Sequence, residues 1–389
     1  MDITIYPGQL SGTIPAIPSK SQAHRILICA AFADNPTEIH CRETNDDIEA
    51  TADCLRSLGA TITRTEYGYF VIPAITIPDT AILNCNESGS TLRFLLPVVG
   101  ALGVDATFHM RGRLPERPLS PLWEELERMG CQLSRPTGNT LRCHGKLTTG
   151  RYHMNGSVSS QFISGLLFAM AMLPGISHLE LSGKIESVPY IKLTQCVLEL
   201  FGGSIPFRSP GVIEVEGDWS NAAFFQTANK LGSSINITNL NADSVQGDRA
   251  IVDILQQISN RIEISAADIP DLVPILSIAA AANQGAVFTD VRRLRMKESD
   301  RVQTVANMLQ NLGSHVMITE NTLTVEPAIF KGCTIDAAGD HRIAMSAAIA
   351  ATVAEDPVTI LGAECVAKSY PKFWRDFRQL GGKYEQYLR

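Results

Sequence analysis

A chain of 389 residues is too long for one ordinary hydrophobic core, so two domains are expected. Apolar residues make up 45% and charged residues 19%, a globular composition, and 33 Lys+Arg against 40 Asp+Glu leave a net charge of -7. That balance argues against a general nucleic-acid binder, which carries an overall basic face. No apolar run reaches membrane-spanning length and the opening MDITIYPGQL has no basic-plus-apolar leader pattern, so no membrane partner and a cytoplasmic location are expected. Nine cysteines, at 29, 41, 54, 85, 131, 143, 196, 333 and 365, include no CxxC pair. Free thiols in a reducing compartment are the simplest account, and a zinc site is not expected.

In chain order, the strand MDITIYPGQL comes first and is expected to pair with the C-terminal half, making that domain discontinuous. Two kinds of helix then alternate. One kind is apolar on every side and Ala-rich: SQAHRILICAAFA, STLRFLLPVVGAL, SSQFISGLLFAMAML, SNAAFFQTANKL, DLVPILSIAAAA and HRIAMSAAIAATVA. Such helices belong in an interior. The other kind is amphipathic and runs into Gly and an alternating strand: DDIEATADCLRSLGATIT, SPLWEELERMGCQLS, YIKLTQCVLELFGGSIP, AIVDILQQISNRIEI, RVQTVANMLQNLGSHVM and FWRDFRQLGGKYEQ. Gly59, Gly130, Gly202, Asn260, Gly313 and Gly381 fit left-handed helix ends, and Ser120 with Pro121 fits an N-cap and first helical position. The pattern predicts an α/β fold of six repeated units, dividing three plus three, each with one buried and one surface helix. VEGDWSNAAFF is the expected crossover, near 216–218. The predicted domains are 1–17 plus 218–389, and 18–217 inserted between them.

Polar groups gather at the starts of the buried helices: Lys20-Ser21, Gly89-Ser90-Thr91, Ser159-Ser160-Gln161, Asp271, and Asp340-His341-Arg342. Helix N-termini offer free N–H donors and a partial positive charge, so several converging would hold phosphate or carboxylate. Simple N-capping explains any single Ser or Asp equally well. It does not explain the accompanying Lys20, Arg25, Arg93, Arg342 and Lys368, which need anionic partners if they line a cleft. RGRLPERP adds Arg113 and Arg117, whose planar forks suit carboxylate or phosphate; a solvated loop is the alternative. Ser187 and Tyr190 in ESVPYI are candidates for reading hydroxyls, although Tyr190 fits a core equally well.

The segment RMKESDR sets Arg295, Lys297, Arg301 and nearby Arg293 around Glu298 and Asp300. This suits a site that holds a small, highly charged anion and moves a proton. An exposed helix start laced with surface ion pairs is the alternative.

IPSKSQAHR, ESGSTLR, LPERP, GSVSSQF, ESVPYI, IPD, RMKESDR, GDHRIAM and AKSYP occur in the order found in the 5-enolpyruvylshikimate-3-phosphate synthase family. The resemblance runs from Lys20 to Lys368. It implies the enolpyruvyl transferase fold: two similar domains, each of three βαβαββ units with buried apolar helices, and an active site in the interdomain cleft. It also implies transfer of the enolpyruvyl group of phosphoenolpyruvate to the 5-hydroxyl of shikimate 3-phosphate, with release of phosphate, on the route to chorismate and the aromatic amino acids. No metal or organic cofactor is implied, the substrates are the expected partners, and the chain is expected to be a monomer.

For shikimate 3-phosphate the resemblance implies Lys20, Ser21, Arg25, Ser159, Ser160, Gln161, Ser187, Asp271 and Lys297. For phosphoenolpyruvate it implies Lys20, Gly89, Arg117, Gln161, Arg301, Arg342 and Lys368. Asp271 and Glu298 are the implied proton-transfer pair, with Lys20 catalytic beside them. Family members often have Asn where Arg293 stands, and many are longer, so trimmed loops are expected. Domain closure driven by shikimate 3-phosphate, and competition of glyphosate with phosphoenolpyruvate in the space beside Gly89, also follow from the resemblance. The nearest rival is the related transferase acting on UDP-N-acetylglucosamine, but that family has Lys-Asn where Lys20-Ser21 stands and a reactive Cys that LPERP lacks. A non-catalytic anion binder is disfavoured, since it would do better without two carboxylates.

Overall fold

The computed structural model describes residues 1–387 and divides into two compact units. One is Met1–Ile17 with the chain from Gly217 onward; the other is Pro18–Glu216. Each has its own apolar core. Among the described residues no helix is long and apolar enough to cross a membrane, and all nine cysteines are free.

The repeating pattern is a parallel strand pair joined through a buried helix, followed by a surface helix and an antiparallel hairpin. It is unbroken twice. Thr80–Asn86, Asp105–Met110, Thr140–Gly145 and Cys131–Ser134 lie side by side in that order, as do Ile262–Ser265, Ala286–Thr289, Thr322–Val325 and Val316–Ile318. In two further sheets a distant segment completes the set. Val212–Glu214 pairs in parallel with Thr37–His40, and Asp2–Tyr6 lies between Val358–Leu361 and Lys383–Tyr387, antiparallel to both. The last two sheets have only two strands, Arg151–Asn155 with His178–Ser182 and Ser11–Pro15 with Ser234–Thr238. The N-terminal strands therefore belong to the unit built from the C-terminal half.

The six all-apolar segments form Lys20–Ala31, Gly89–Leu102, Ser160–Met172, Trp219–Lys230, Val273–Ala281 and His341–Ala351, and most of their residues are buried. Burying a helix on all faces requires a side chain that is apolar or small at each position, which the Ala-rich pattern provides.

Several local expectations are corrected. Gly59, Gly130, Gly202, Gly313 and Gly381 have φ between 88° and 117°, but Asn260 has no left-handed backbone. The helix after Ser120 begins at Leu122, with Pro121 in the cap position and no capping side chain. No strand directly follows Val188–Leu200, because Gly202, Gly203, Pro206 and Pro210 break the run up to Val212–Glu214. The strand after the fourth surface helix, Ile262–Ser265, pairs with Ala286–Thr289 and so opens the next unit.

Candidate active site

Arg301 is the centre of one cluster. It starts the helix Arg301–Asn311, which Asp300 caps by accepting from the Gln303 N–H, and its side chain is 1% exposed. A buried guanidinium must have its donors satisfied, and carboxylates do so while balancing the charge. Nε donates to Asp340 Oδ2 at 2.8 Å, Nη1 to Asp271 Oδ1 at 2.6 Å, and Nη2 to Glu298 Oε2 at 2.5 Å. Burial opposes its charge, but Asp340, Glu298 and Asp271 outweigh that and raise its pKa well above the usual arginine value.

Asp271 is shared by three cations. Besides Arg301, Lys297 Nζ lies 3.4 Å from Oδ1 and Arg342 Nη2 lies 3.2 Å from Oδ2, while Arg342 Nη1 also donates to the Asp271 carbonyl. Burial alone would push the carboxyl up; Arg342, Lys297 and Arg301 hold it well below the usual carboxylate range. Lys297 is lowered, mainly by burial, with Asp271 opposing. The helix behind Asp271 is Val273–Ala281 with Leu272 in the cap position, so Asp271 does not cap it and simple capping does not account for this residue.

Asp340 does cap. Its Oδ1 accepts from the Arg342 N–H at 3.0 Å at the start of His341–Ala351, while Oδ2 accepts from Arg301 and from Ser299 Oγ at 3.0 Å. It joins two motifs and is fully buried. Lys368 Nζ donates to the Gly339 carbonyl, one residue before Asp340. Arg293 donates to the Ala267 carbonyl at 2.9 Å. Arg295 is the member of RMKESDR that stands apart: it bonds Asp300 and the Thr319 carbonyl, an ordinary loop-stabilising role.

A second set lies in Pro18–Glu216. Lys20 opens its helix behind the cap Ser19, and Nζ pairs with Asp47 Oδ2 at 2.9 Å. Arg25 is 2% exposed and donates to Thr194 Oγ1, Ser164 Oγ and the carbonyls of Ser21 and Tyr190, with its carbon 4.9 Å from the Phe94 ring centre. With neutral partners only, burial lowers its pKa to about 9. An anion bound there would satisfy the guanidinium, as a buried cation requires.

Gly89 follows the cap Ser88. A Cβ on Gly89 would stand 2.6 Å from Arg93 Nη1 and 2.7 Å from Arg117 Nη1, so glycine is what lets both guanidiniums approach the backbone. Arg93 donates to the carbonyls of Gly89 and Pro118 and to Gln161 Oε1, and Gln161 Nε2 donates to Ser90 Oγ at 3.0 Å. Arg117 is half-buried, and its Nε has no partner among the described residues. Ser159 caps Ser160–Met172 through the Gln161 N–H. Ser187, at φ 56°, turns the chain into Val188–Leu200 without capping it. Arg113, by contrast, is exposed, and its Nε lies 3.7 Å from Glu116 Oε2 one turn on.

The sequence reading missed Asp340 as the partner of Arg301, Asp47 as the partner of Lys20, and Asp248. Asp248 is buried, and burial, with the Asp271 charge adding and Arg342 opposing, pushes its carboxyl up to about 6. Asp47 and Asp340 look like ordinary first-turn and capping acids; the ion pair with Lys20 separates the first from such residues, and full burial against Arg301 the second.

The sequence model of the family described as EPSP synthase (3-phosphoshikimate 1-carboxyvinyltransferase) matches residues 5–377. The chain belongs to the EPSP synthase family. A 3-phosphoshikimate 1-carboxyvinyltransferase from Clostridium beijerinckii is 36% identical, with 99% of each chain covered, and one from Clostridium botulinum is 36% identical with 98% of each covered. The fold matches EPSP synthase from Acinetobacter baumannii with a TM-score of 0.81 at 23% identity, covering 100% of both chains. It also matches the enolpyruvyl transferase NikO from Streptomyces tendae with a TM-score of 0.75 at 17% identity, covering 99% of this chain and 98% of that one. The two-domain enolpyruvyl transferase fold expected from the motifs is therefore the fold of this chain.

Proposed function

We propose that the chain carries out the reaction of its family. It transfers the enolpyruvyl group of phosphoenolpyruvate to the 5-hydroxyl of shikimate 3-phosphate by addition and elimination, and releases phosphate. The observation that carries this reading is the Arg301 guanidinium, which holds Asp271 on Nη1 and Glu298 on Nη2. Asp340 already balances Arg301 in the interior, whereas Asp271 and Glu298 are partly exposed on the same cation; two such carboxylates repel a bound anion, and a reaction that removes one proton and delivers another needs both.

In this reading the 5-hydroxyl oxygen bonds to C2 of phosphoenolpyruvate as its proton passes to Asp271, and C3 takes a proton from Glu298. The resulting tetrahedral intermediate returns a C3 proton to Glu298 as the C2–O bond to phosphate breaks, and the phosphate leaves with the proton held by Asp271, so that the enol ether forms and both carboxyls are restored. Lys297 and Arg342 keep Asp271 ionised, as a base must be, but at reduced basicity. A substrate anion that draws either cation away restores it. Lys20, Arg117, Arg301, Arg342 and Lys368 are assigned to the phosphate and carboxylate of phosphoenolpyruvate, with Gly89 leaving Arg117 room and Gln161 orienting. Ser21, Arg25, Ser159, Ser160, Gln161 and Ser187, with Lys20, Asp271 and Lys297, are assigned to shikimate 3-phosphate. Fixed cations of this kind stabilise charge where it develops, each worth roughly 3 to 4 kcal/mol by analogy with loss of one preorganised donor. Nine free thiols support a reducing, cytoplasmic setting, and a monomer is the simplest working unit.

Inorganic phosphate release tests the reading. Release should require both substrates, proceed without added metal, and fall by more than a hundredfold in Lys20→Ala, on the order of one preorganised donor. Release with UDP-N-acetylglucosamine in place of shikimate 3-phosphate would overturn the substrate assignment.

A further inference from the structure

A buried run of hydroxyls headed by a histidine joins three helices in Pro18–Glu216. His24 Nδ1 lies 2.7 Å from Thr51 Oγ1, Thr51 Oγ1 lies 2.7 Å from Thr91 Oγ1, and Thr91 Oγ1 donates to Ser88 Oγ at 2.7 Å. Thr91 Oγ1 also reaches the Asp47 carbonyl at 3.4 Å. His24, Thr51, Ser88 and Thr91 are each at most 1% exposed.

Each hydroxyl has one proton to give, so the order of donors is determined. The Thr91 proton is committed to Ser88 Oγ or to the Asp47 carbonyl. Thr51 must then donate to Thr91, and His24 must donate to Thr51 through Nδ1–H. Nε2 of the same ring is buried with no partner among the described residues, which suits the unprotonated nitrogen of a neutral imidazole. Burial, then Lys20 and Arg25 on the same helix, lower the His24 pKa well below 6.5 and keep it in that form.

The ends of the run carry the interest. His24 is one helical turn beyond Lys20 in Lys20–Ala31; Thr51 belongs to Asp46–Ser57, whose Asp47 pairs with Lys20; Ser88 and Thr91 flank Gly89. Arg25 has its own supports in Thr194, Ser164 and the Tyr190 carbonyl, and none of them belongs to this run.

We propose that His24, Thr51 and Thr91 are positioning residues that set the Lys20 ammonium relative to Gly89, and that their effect falls mainly on phosphoenolpyruvate, to which both ends of the run are assigned, while shikimate 3-phosphate, which shares Lys20, keeps Arg25 and its separate supports. The proposal rests on the functional reading above for its choice of substrate. The three helices meet through buried side chains held at 2.7 Å from one another. Loss of a link lets the Lys20 helix start shift against the Gly89 helix start. A displacement of about 1 Å at a substrate-orienting group costs up to about a hundredfold in rate.

The test compares Thr51→Val, which keeps the shape and removes the hydroxyl, with Thr51→Ser, which restores it. Expected is a rise of about tenfold in KM for phosphoenolpyruvate in Thr51→Val, with KM for shikimate 3-phosphate within about twofold and Thr51→Ser returning both to near wild type. A merely structural role would lower the melting temperature and the amount of active enzyme while leaving both KM values in place, and that result overturns the proposal, as does an equal rise in both. His24→Leu removes the donor at the head of the run and must show the same split, which keeps the test open if Thr51→Val does not fold. If the wild-type protein releases no phosphate, the functional reading fails separately. Crystal structures of wild type and Thr51→Val then decide: a Lys20 Nζ displaced by about 1 Å or more relative to Gly89 upholds the positioning role, and an unmoved one refutes it.

Discussion

At Gly89 the backbone has no room for a methyl group, because Arg93 and Arg117 both approach the position it would occupy. Arg93 is buried and tied to two carbonyls and Gln161, so the half-buried Arg117 is the one that must yield. Gly89→Ala should raise KM for phosphoenolpyruvate about tenfold while stability changes little, read by steady-state kinetics alongside a thermal melt. A second residue-scale effect concerns Asp248. Its carboxyl is raised from 3.8 to about 6, so between those values the folded state holds a proton that the unfolded state has released. The contribution of this group to stability therefore falls as pH rises through this window and is fully lost above it, while the rest of the fold's stability remains. Asp248→Asn should raise the unfolding free energy by up to about 3 kcal/mol at pH 8 and by almost nothing near pH 3.5. Urea unfolding at the two pH values checks this, and an equal gain at both would mean burial of the charge is not the cause. The same residues show what a sequence can display. Lys297, Glu298 and Arg301 stood out because a cation cluster is unusual in an acidic chain. Asp340 was legible as a polar helix start but not as the partner of Arg301, because an acid before a helix is ordinary and the bond spans 39 residues of sequence.

Helix identity was readable because the buried helices are apolar on every face and the surface ones on one, two patterns that periodicity separates cleanly. Which strand completes which sheet was not, since Ile262–Ser265 has the same alternation whether it closes one unit or opens the next. Close helix approach was likewise invisible, and Gly165 in Ser160–Met172 shows why it matters. A Cβ there would run into the carbonyl oxygen of Arg93 and lie 3.1 Å from Pro97 Cγ in Gly89–Leu102. Backbone cannot rotate aside as a side chain can, so Gly165→Ala must part the two helices. The expected cost is roughly 1 to 3 kcal/mol of overpacking strain, seen as a lowered melting temperature. The shift should also loosen the Arg93–Gln161 and Gln161–Ser90 contacts and so raise KM for both substrates together, unlike Gly89→Ala.

The chain passes between its units at 17–18 and again at 216–217, and the two units consequently differ in how they depend on sequence-distant parts. Pro18–Glu216 is continuous and closes its own sheet with Val212–Glu214. The other unit borrows Asp2–Tyr6 as an interior strand of one sheet and Ser11–Pro15 as half of another. Ile3, Ile5, Leu10 and Ile14 from this segment are all at most 2% exposed. At about 1.5 to 3 kcal/mol for each fully buried aliphatic side chain, their loss removes roughly 6 to 12 kcal/mol, comparable to the whole stability of an ordinary domain of about 5 to 15 kcal/mol. The loss also leaves the facing edges of Val358–Leu361 and Lys383–Tyr387 unpaired. A fragment of residues 18–216 should therefore unfold cooperatively in urea by itself. A fragment beginning at Gly217 should show no cooperative transition until a peptide of residues 1–17 is added, after which one should appear with a midpoint that rises with peptide concentration. Circular dichroism on the two fragments decides it, and a cooperative melt of the Gly217 fragment without the peptide would show that the N-terminal strands are an addition to that core rather than part of it.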